Sequence, residues 1–203
     1  VLFMLGVQGE IPELAHHNFL FSDDWSDDFD AVFNGPVASR PQAASKSIYV
    51  SKPSATDPGV APAGHENLFV LVPVPADPSV GTGNMYRGEA SEQVQRIADA
   101  AIEQIAARCG VAGLGRRIVV KQTLGPTDFA ERYNAWSGGS IGPAHTLRQS
   151  AFLRGSNKSR KMDSLMYAGA TTTPGVGVPM CLISAENVLK RVRGDRSSGP
   201  LDH

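Results

Sequence analysis

The chain has 203 residues, of which 19 are Lys or Arg and 20 are Asp or Glu, so the formal net charge is -1. Hydrophobic residues make up 41% and aromatic residues 7%, and this length suffices for one domain, or for one and a half, with a substantial core. The balanced, scattered charges disfavour binding to nucleic-acid phosphates, and 21 Gly with 14 Pro are too few for a disordered chain.

The targeting features predict a cytoplasmic protein. The longest apolar stretches, residues 1–7 and 68–74, are far shorter than the roughly 20 residues that span a bilayer. The first stretch has no basic residues before it and no small-residue cleavage site after it, which disfavours a signal peptide. Cys109 and Cys181 are too few for a disulfide framework and too far apart for a paired metal-ligand motif, so a reducing compartment is expected.

Short apolar, β-branched and aromatic runs predict four strands in the first third of the chain. They cover residues 1–7, 18–21, 47–51 and 68–74. We expect the first two to be short and buried, and the last two to form a long hairpin or two strands of one sheet. Between them, residues 25–33 predict a helix, because acidic side chains in a first turn face the positive end of the helix dipole.

The clearest predicted helix covers residues 91–108. Its apolar side chains recur at helical spacing, Ser91 offers an N-cap and Gly110 ends it. A strand over residues 117–123 and a helix over residues 127–136 are predicted to follow.

The last third predicts a strand over residues 164–168, a loop rich in Gly and Pro, and a helix over residues 182–193. Cations in the last turn of that helix suit the negative end of its dipole. Because strands and helices mix without strict alternation, the predicted fold class is α/β in the broad sense of a mixed α+β fold.

Three motifs in the first half have simple structural explanations. Residues 81–88 contain glycines at a spacing that is wrong for a dinucleotide-binding turn, so we predict a loop. His16 and His17 are adjacent on a predicted strand and point to opposite faces, which disfavours a shared metal. The five Asp residues between 23 and 30 lack the register of a calcium loop and are typical of a solvated helix start.

The loop over residues 167–179 is different. Gly175 and Gly177 would let a ligand approach the backbone, Pro174 and Pro179 would hold the turn, and the following helix would present free N–H groups. Such a junction would stabilise negative charge. A plain turn between a strand and a helix remains the alternative at this point.

Four collinear blocks resemble the bacterial-type phytoene desaturases, which are FAD-dependent carotenoid dehydrogenases related to the flavin amine oxidases. The resemblance extends from about residue 5 to residue 193. The blocks are A-H-H at 15–17, T-D-P to A-P-A-G at 56–64 with V-P-V-P at 72–75, N-A-W at 134–136 with Q-S-A-F at 149–152 and the following Arg154 and Asn157, and G-A-T-T-T-P-G-V-G-V-P at 169–179 continued by Ser184-Ala185.

Four positions depart from the family pattern. Thr171 and Met180 stand where the family usually has Gly, Thr173 where it has His, and Gly155 where it has Pro. The Met180 side chain would lie where it could crowd the flavin or the substrate. These departures bear on the identity of the substrate more than on the fold.

The resemblance implies FAD as cofactor, with its ring held at the glycine-rich loop. The implied cofactor-binding residues are Gly169, Thr172, Thr173, Pro174, Gly175, Gly177, Val178 and Pro179. Backbone N–H groups of residues 175–179 would donate to the flavin, and the helix dipole would stabilise the reduced ring. Asp30 is the implied candidate for proton or carbocation chemistry, while Gln149 and Arg154 would shape the site.

The resemblance also implies the C-terminal part of a longer two-domain FAD-dependent oxidoreductase. Residues 1–150 would belong to a substrate-binding domain with a mixed sheet, residues 151–194 would supply the last strand, loop and helix of the FAD domain, and residues 195–203 would form a flexible tail. Its partners would be an apolar isoprenoid substrate, a membrane surface touched peripherally, and the N-terminal FAD-binding part of the same enzyme. Without that part, this portion is expected to be inactive.

The leading hypothesis is a desaturase that introduces double bonds into an isoprenoid in carotenoid biosynthesis. One alternative is a related flavin oxidoreductase that acts on another apolar alcohol, amine or polyene. A second alternative, from another class, is a non-catalytic module that binds apolar lipids.

Overall fold

The structure is a computed structural model, and it describes residues 1–144, 146–150 and 153–201. The chain divides into two compact units, Val1–Gly139 and Ser140–His203. The assignment of residues 1–150 and 151–194 to substrate and FAD domains stays a prediction. Ala151 and Phe152 of the Q-S-A-F block, and the last two residues of the predicted tail, lie outside the described residues.

The first unit contains a five-stranded sheet in the order β2-β3-β4-β1-β5. All neighbouring strands are antiparallel, so the expectation of a mixed sheet is wrong. The strands are β1 Leu2–Gln8, β2 His17–Leu20, β3 Ile48–Ser51, β4 His65–Leu71 and β5 Ile118–Leu124. The runs predicted at 47–51 and 68–74 are therefore adjacent strands of one sheet.

Five helices accompany the sheet among the described residues. They are α1 Trp25–Asn34, α2 Glu92–Cys109, α3 Leu114–Arg117, α4 Pro126–Tyr133 and α5 Val178–Arg193. The first four belong to the first unit and α5 belongs to the second. The predicted helices at 25–33 and 91–108 are confirmed, and Gly110 ends α2 in the left-handed conformation.

One face of the sheet forms the hydrophobic core with α2. Phe3 and Leu5 of β1 and Val70 of β4 are buried there, together with Ile97 and Ile105 of α2. Alternate residues of a strand point to opposite faces, so the apolar positions of β1 and β4 follow a period of two and those of α2 follow the helical period. This packing confirms the helix-spacing argument made for α2.

The opposite face of the sheet is also apolar. Leu2 pairs with Leu71, Met4 pairs with Phe69, and Tyr49 on β3 pairs with Leu71. These side chains alternate with the core positions and are half-buried. An antiparallel sheet with a solvated face normally carries polar side chains there, so this apolar face suits contact with further apolar material.

Three sequence predictions need correction. Residues 164–168 form no strand, because Met166 makes only an isolated bridge to Lys158 and no neighbouring strand of the described chain extends the pairing. The last helix begins at Val178 instead of 182, since Pro179 in the first turn needs no N–H acceptor. The second strand is largely exposed because it lies at an edge of the sheet.

Candidate functional site

The glycine loop, residues 169–179, lies in the second unit and leads into α5. Gly169, Gly175 and Gly177 have φ values of 119°, 147° and 112°, a region that side chains disfavour. A Cβ atom at Gly177 would meet nothing within 4 Å, so space lies open beside the backbone there. The Thr173–Pro174 peptide is cis. The loop therefore presents backbone to its surroundings where the sequence predicts close approach of a ligand.

Arg154 is buried beneath the glycine loop. Its Nε and Nη2 atoms donate to the carbonyl oxygen of Ala170 at 3.0 and 2.7 Å, and Nη1 and Nη2 approach the carbonyl oxygens of Gln149 and Ile141 at 3.4 Å. Its Cδ lies 3.9 Å from the place where a Cβ of Gly175 would be. No carboxylate of the described residues pairs with Arg154, so its positive charge remains available to the loop.

A cluster of three buried polar side chains, Asn157, Thr172 and Ser184, holds the glycine loop to α5. The Ser184 hydroxyl lies 2.8 Å from the Thr172 hydroxyl and accepts the Gly169 N–H at 3.0 Å. The Asn157 amide nitrogen lies 2.9 Å from the Ser184 hydroxyl. The sequence motif included Asn157 and Ser184 without giving either a role, and only the structure brings them together.

The first turn of α5 forms the remaining part of the site. No side chain caps this end, and the first N–H groups of a helix have no intrahelical acceptor. Val178 and Met180 carry such groups, whereas Pro179 has none to donate, which corrects the expectation that it is among the donors. The positive helix end, the Arg154 charge and the open backbone at Gly177 together fit the electron-rich edge of a flavin ring.

Two departures from the family pattern are in contact. The Thr173 N–H donates to the Gly155 carbonyl oxygen at 2.8 Å, and the Thr173 hydroxyl lies 3.1 Å from the same oxygen. The first of these bonds joins two backbone groups, so among the departures from the family pattern only the Thr173 hydroxyl adds a side-chain contact here. Met180 is partly exposed in the first turn of α5.

A continuous line of aromatic rings, here called the aromatic row, crosses from the sheet onto α1 in the first unit. Neighbouring ring centroids along it are 5.0 to 6.4 Å apart. Its members are Tyr49, Phe19, Phe21, Trp25, Phe29 and Phe33, and all but Tyr49 are more than half exposed. Tyr49 also belongs to the apolar face of the sheet, so the row and that face form one apolar surface.

Asp30 and Asp28 on α1 have different environments. Asp30 is exposed and accepts a hydrogen bond from Asn34 at 3.0 Å; its predicted role in proton chemistry stays a prediction. Asp28 is buried and forms an ion pair with Arg40 at 2.8 Å. Burial acts to raise the pKa of Asp28, but hydrogen bonds from the Lys46 backbone N–H and from Ser47, Arg40 and Ser45 outweigh it and hold the pKa at about 2.

Gln149 is exposed on a short 3₁₀ turn, and only its backbone carbonyl meets Arg154. His16 and His17 do not point to opposite faces as predicted: His16 precedes β2 and the two ring centroids are 4.3 Å apart. Their Nδ1 atoms meet different hydroxyls, those of Thr56 and Tyr49, each at 2.7 Å. Within the described ranges, no three His, Cys, Asp or Glu side chains come together as a metal site. In the same ranges no helix is long and apolar enough to cross a membrane.

Comparison with known proteins relates this arrangement to enzymes. The chain is 43% identical over 194 residues to a carotenoid 3,4-desaturase of Haloarcula japonica, a match that covers 96% of the chain. It is 32% identical over 199 residues to a 4,4'-diapophytoene desaturase of Staphylococcus aureus, covering 98% of the chain. The chain is homologous to carotenoid desaturases. The resemblance seen in the four sequence blocks is therefore confirmed.

The homology to carotenoid desaturases covers both units. The chain spans 36% of the length of the Haloarcula desaturase and 38% of that of the Staphylococcus desaturase. No protein-family model matches the chain. The similarity therefore extends over nearly the whole chain, whereas the chain spans little more than a third of the length of each relative.

Proposed function

We propose that this chain is part of an FAD-dependent desaturase that introduces double bonds into an apolar isoprenoid. The observation that carries the proposal is the glycine loop, where open backbone, a helix N-terminus and a buried guanidinium converge in a chain homologous to carotenoid desaturases. Such a loop stabilises negative charge that develops on a bound group during the reaction.

The proposed chemistry assigns separate tasks to the residues of the loop. When bound, FAD supplies the acceptor for the hydrogen removed from the substrate. The N–H groups of Gly177 and Val178 would hold the electron-rich edge of the ring system. The Arg154 guanidinium adds a positive charge and, through its bonds to the Ala170 carbonyl, keeps the loop in place.

The aromatic row is the proposed contact surface for the isoprenoid. A long unsaturated chain is narrow and apolar, and a single line of rings offers it continuous contact without a polar group. Asp27 and Asp30 stand on α1 beside the row, and their charges disfavour binding of anionic lipid headgroups to the same surface. A peripheral membrane contact and a cytoplasmic location stay proposals.

The test uses the full-length protein, which includes the N-terminal part that this chain is proposed to need. We expect the purified protein to show flavin absorbance and to form longer conjugated products from phytoene, from its thirty-carbon counterpart, or from both, as followed by chromatography with absorbance detection. Flavin-dependent turnover of only an alcohol or amine would favour the related oxidoreductase. Isoprenoid binding without flavin would favour the lipid-binding module, and both outcomes would contradict the desaturase.

A further inference from the structure

We propose that Asn157 is a positioning residue that sets the shape of the glycine loop through Thr172 and Ser184, and so tunes the affinity and redox potential of the cofactor held there. The inference rests on the proposed function. It adds a role for a side chain that touches neither solvent nor the open side of the loop, because Asn157 is 3% exposed.

Asn157 connects the segment just before the glycine loop with the middle of the loop. Its amide nitrogen lies 3.0 Å from the carbonyl oxygen of Tyr167 and 3.2 Å from that of Thr173. The same nitrogen is 3.2 Å from the Thr172 hydroxyl. Its backbone carbonyl accepts the Tyr167 N–H at 2.8 Å. Any displacement of Asn157 must therefore move both the entry to the loop and the residue just before Pro174.

Ser184 extends this connection to α5. Its hydroxyl is fully buried on the second turn of the helix and reaches both Gly169 and Thr172. The helix that supplies free N–H groups and the loop that supplies open backbone are thus held in register by one hydroxyl. Thr172 completes the cluster by donating to the Gly169 carbonyl oxygen at 3.0 Å.

The packing of the second unit makes this cluster decisive. Among residues 140–144, 146–150 and 153–201, no hydrophobic side chain is buried, and the buried side chains are those of Arg154, Asn157, Thr172 and Ser184. Within these described residues the loop is therefore fixed by hydrogen bonds and not by buried apolar side chains. A fully satisfied buried polar network is rigid, whereas removal of one member leaves the others without partners.

The experiment measures flavin affinity and reduction potential in the intact protein. Asn157→Asp keeps the side-chain shape but removes both amide donors, and we expect it to weaken flavin binding about tenfold or more. Thr172→Val should shift the potential and the flavin absorbance, whereas Thr172→Ser, which keeps the hydroxyl, should restore both. Ser156→Ala serves as the control for Ser184→Ala, because Ser156 is exposed and only caps the Lys158 N–H.

The possible outcomes are distinct. Flavin affinity and potential equal to wild type in Asn157→Asp would overturn the inference. If that variant does not fold, the Thr172 pair decides, since equal values for Val and Ser would overturn the inference and a shift in Val alone would support it. Wild-type protein without flavin would instead refute the proposed function itself, and the inference with it.

Discussion

At the scale of single residues, the sequence did not reveal which charged side chains of the first unit are buried. Asp28 is one of five Asp residues between 23 and 30, and composition alone made the whole group a solvated helix start. In the structure its carboxylate accepts hydrogen bonds from Arg40, the Lys46 N–H, and the N–H and hydroxyl of Ser47. Spacing could not identify it, because its partners lie 12 to 19 residues away.

Asp28→Asn should lower the free energy of unfolding by about 3 kcal/mol at neutral pH, because it leaves the buried Arg40 without its counter-ion. The folded-state pKa of about 2 lies below the ordinary value of 3.8, so the carboxylate stabilises the fold above pH 4 and this contribution is lost as the pH falls through 2. The difference in the free energy of unfolding between wild type and Asp28→Asn should therefore narrow by about 2 kcal/mol as the pH falls from 7 to 2.

Urea unfolding at fixed ionic strength, repeated between pH 7 and pH 2, measures this difference. The matched control is Asp23→Asn, because Asp23 is exposed just before the same helix. A gap between Asp28→Asn and wild type that stays constant across the pH range would contradict the role given to this carboxylate.

Gly83 shows why the loop at residues 81–88 contains glycines. A Cβ atom there would lie 1.9 Å from the carbonyl oxygen of Thr123, so the backbone of the loop runs directly against β5. Gly83→Ala should lower the free energy of unfolding by about 3 kcal/mol, whereas Gly199→Ala, with no atom within 4 Å of the new Cβ, should leave it within about 0.5 kcal/mol. Thermal unfolding of the two variants compares them, and equal midpoints would exclude the close contact.

At the scale of elements, hydrophobic periodicity correctly predicted the helix that packs in the core. It failed for the segment whose conformation depends on hydrogen bonds to a neighbouring strand. Helix α2 was predictable because six apolar side chains repeat on one face and a glycine follows. Residues 164–168 are apolar and aromatic enough for a strand, but a strand needs a neighbour, and periodicity does not show whether one exists. The loop was recognised by its motif, whereas the roles of Thr172 and Ser184 depend on contacts that spacing does not reveal.

The aromatic row on α1 gives a prediction for substrate contact. Trp25→Ala should reduce catalytic efficiency with a polyene about tenfold by removing apolar contact area, and it should change stability little because Trp25 is 52% exposed. Trp136→Ala is the matched control, since Trp136 is 90% exposed and lies outside the row. Steady-state kinetics with both variants would refute the contact surface if their efficiencies fell equally.

At the scale of the whole molecule, the two units differ in what holds them together. The first has a core of fully buried side chains such as Phe3, Leu5 and Ile105. In the described part of the second, Val178, Leu182 and Val192 are exposed along α5, and the interior is polar. These three side chains recur at helical spacing on one face of α5, and such an exposed apolar stripe is typical of a face that packs against further apolar material.

This contrast predicts different behaviour when the units are made separately. Residues 1–139 alone should unfold cooperatively on heating, because their apolar core is complete in itself. Residues 140–203 alone should show no cooperative transition by circular dichroism and should bind a hydrophobic dye. A sharp transition in the second segment would show that its polar cluster suffices for folding.

The position of β5 at the edge of the sheet has a consequence for handling the protein. An edge strand offers unpaired N–H and C=O groups to other chains, but residues 83–85 cover this edge of β5 at Lys121 and Thr123, where Asn84 and the Met85 N–H bond to the strand backbone. The exposed Val119 and Val120 precede the covered residues. Lys121 follows them and is paired with Asp99 at 2.8 Å. A charge beside these two valines acts against aggregation through them, so replacing Lys121 with an apolar residue should increase light scattering in concentrated solutions.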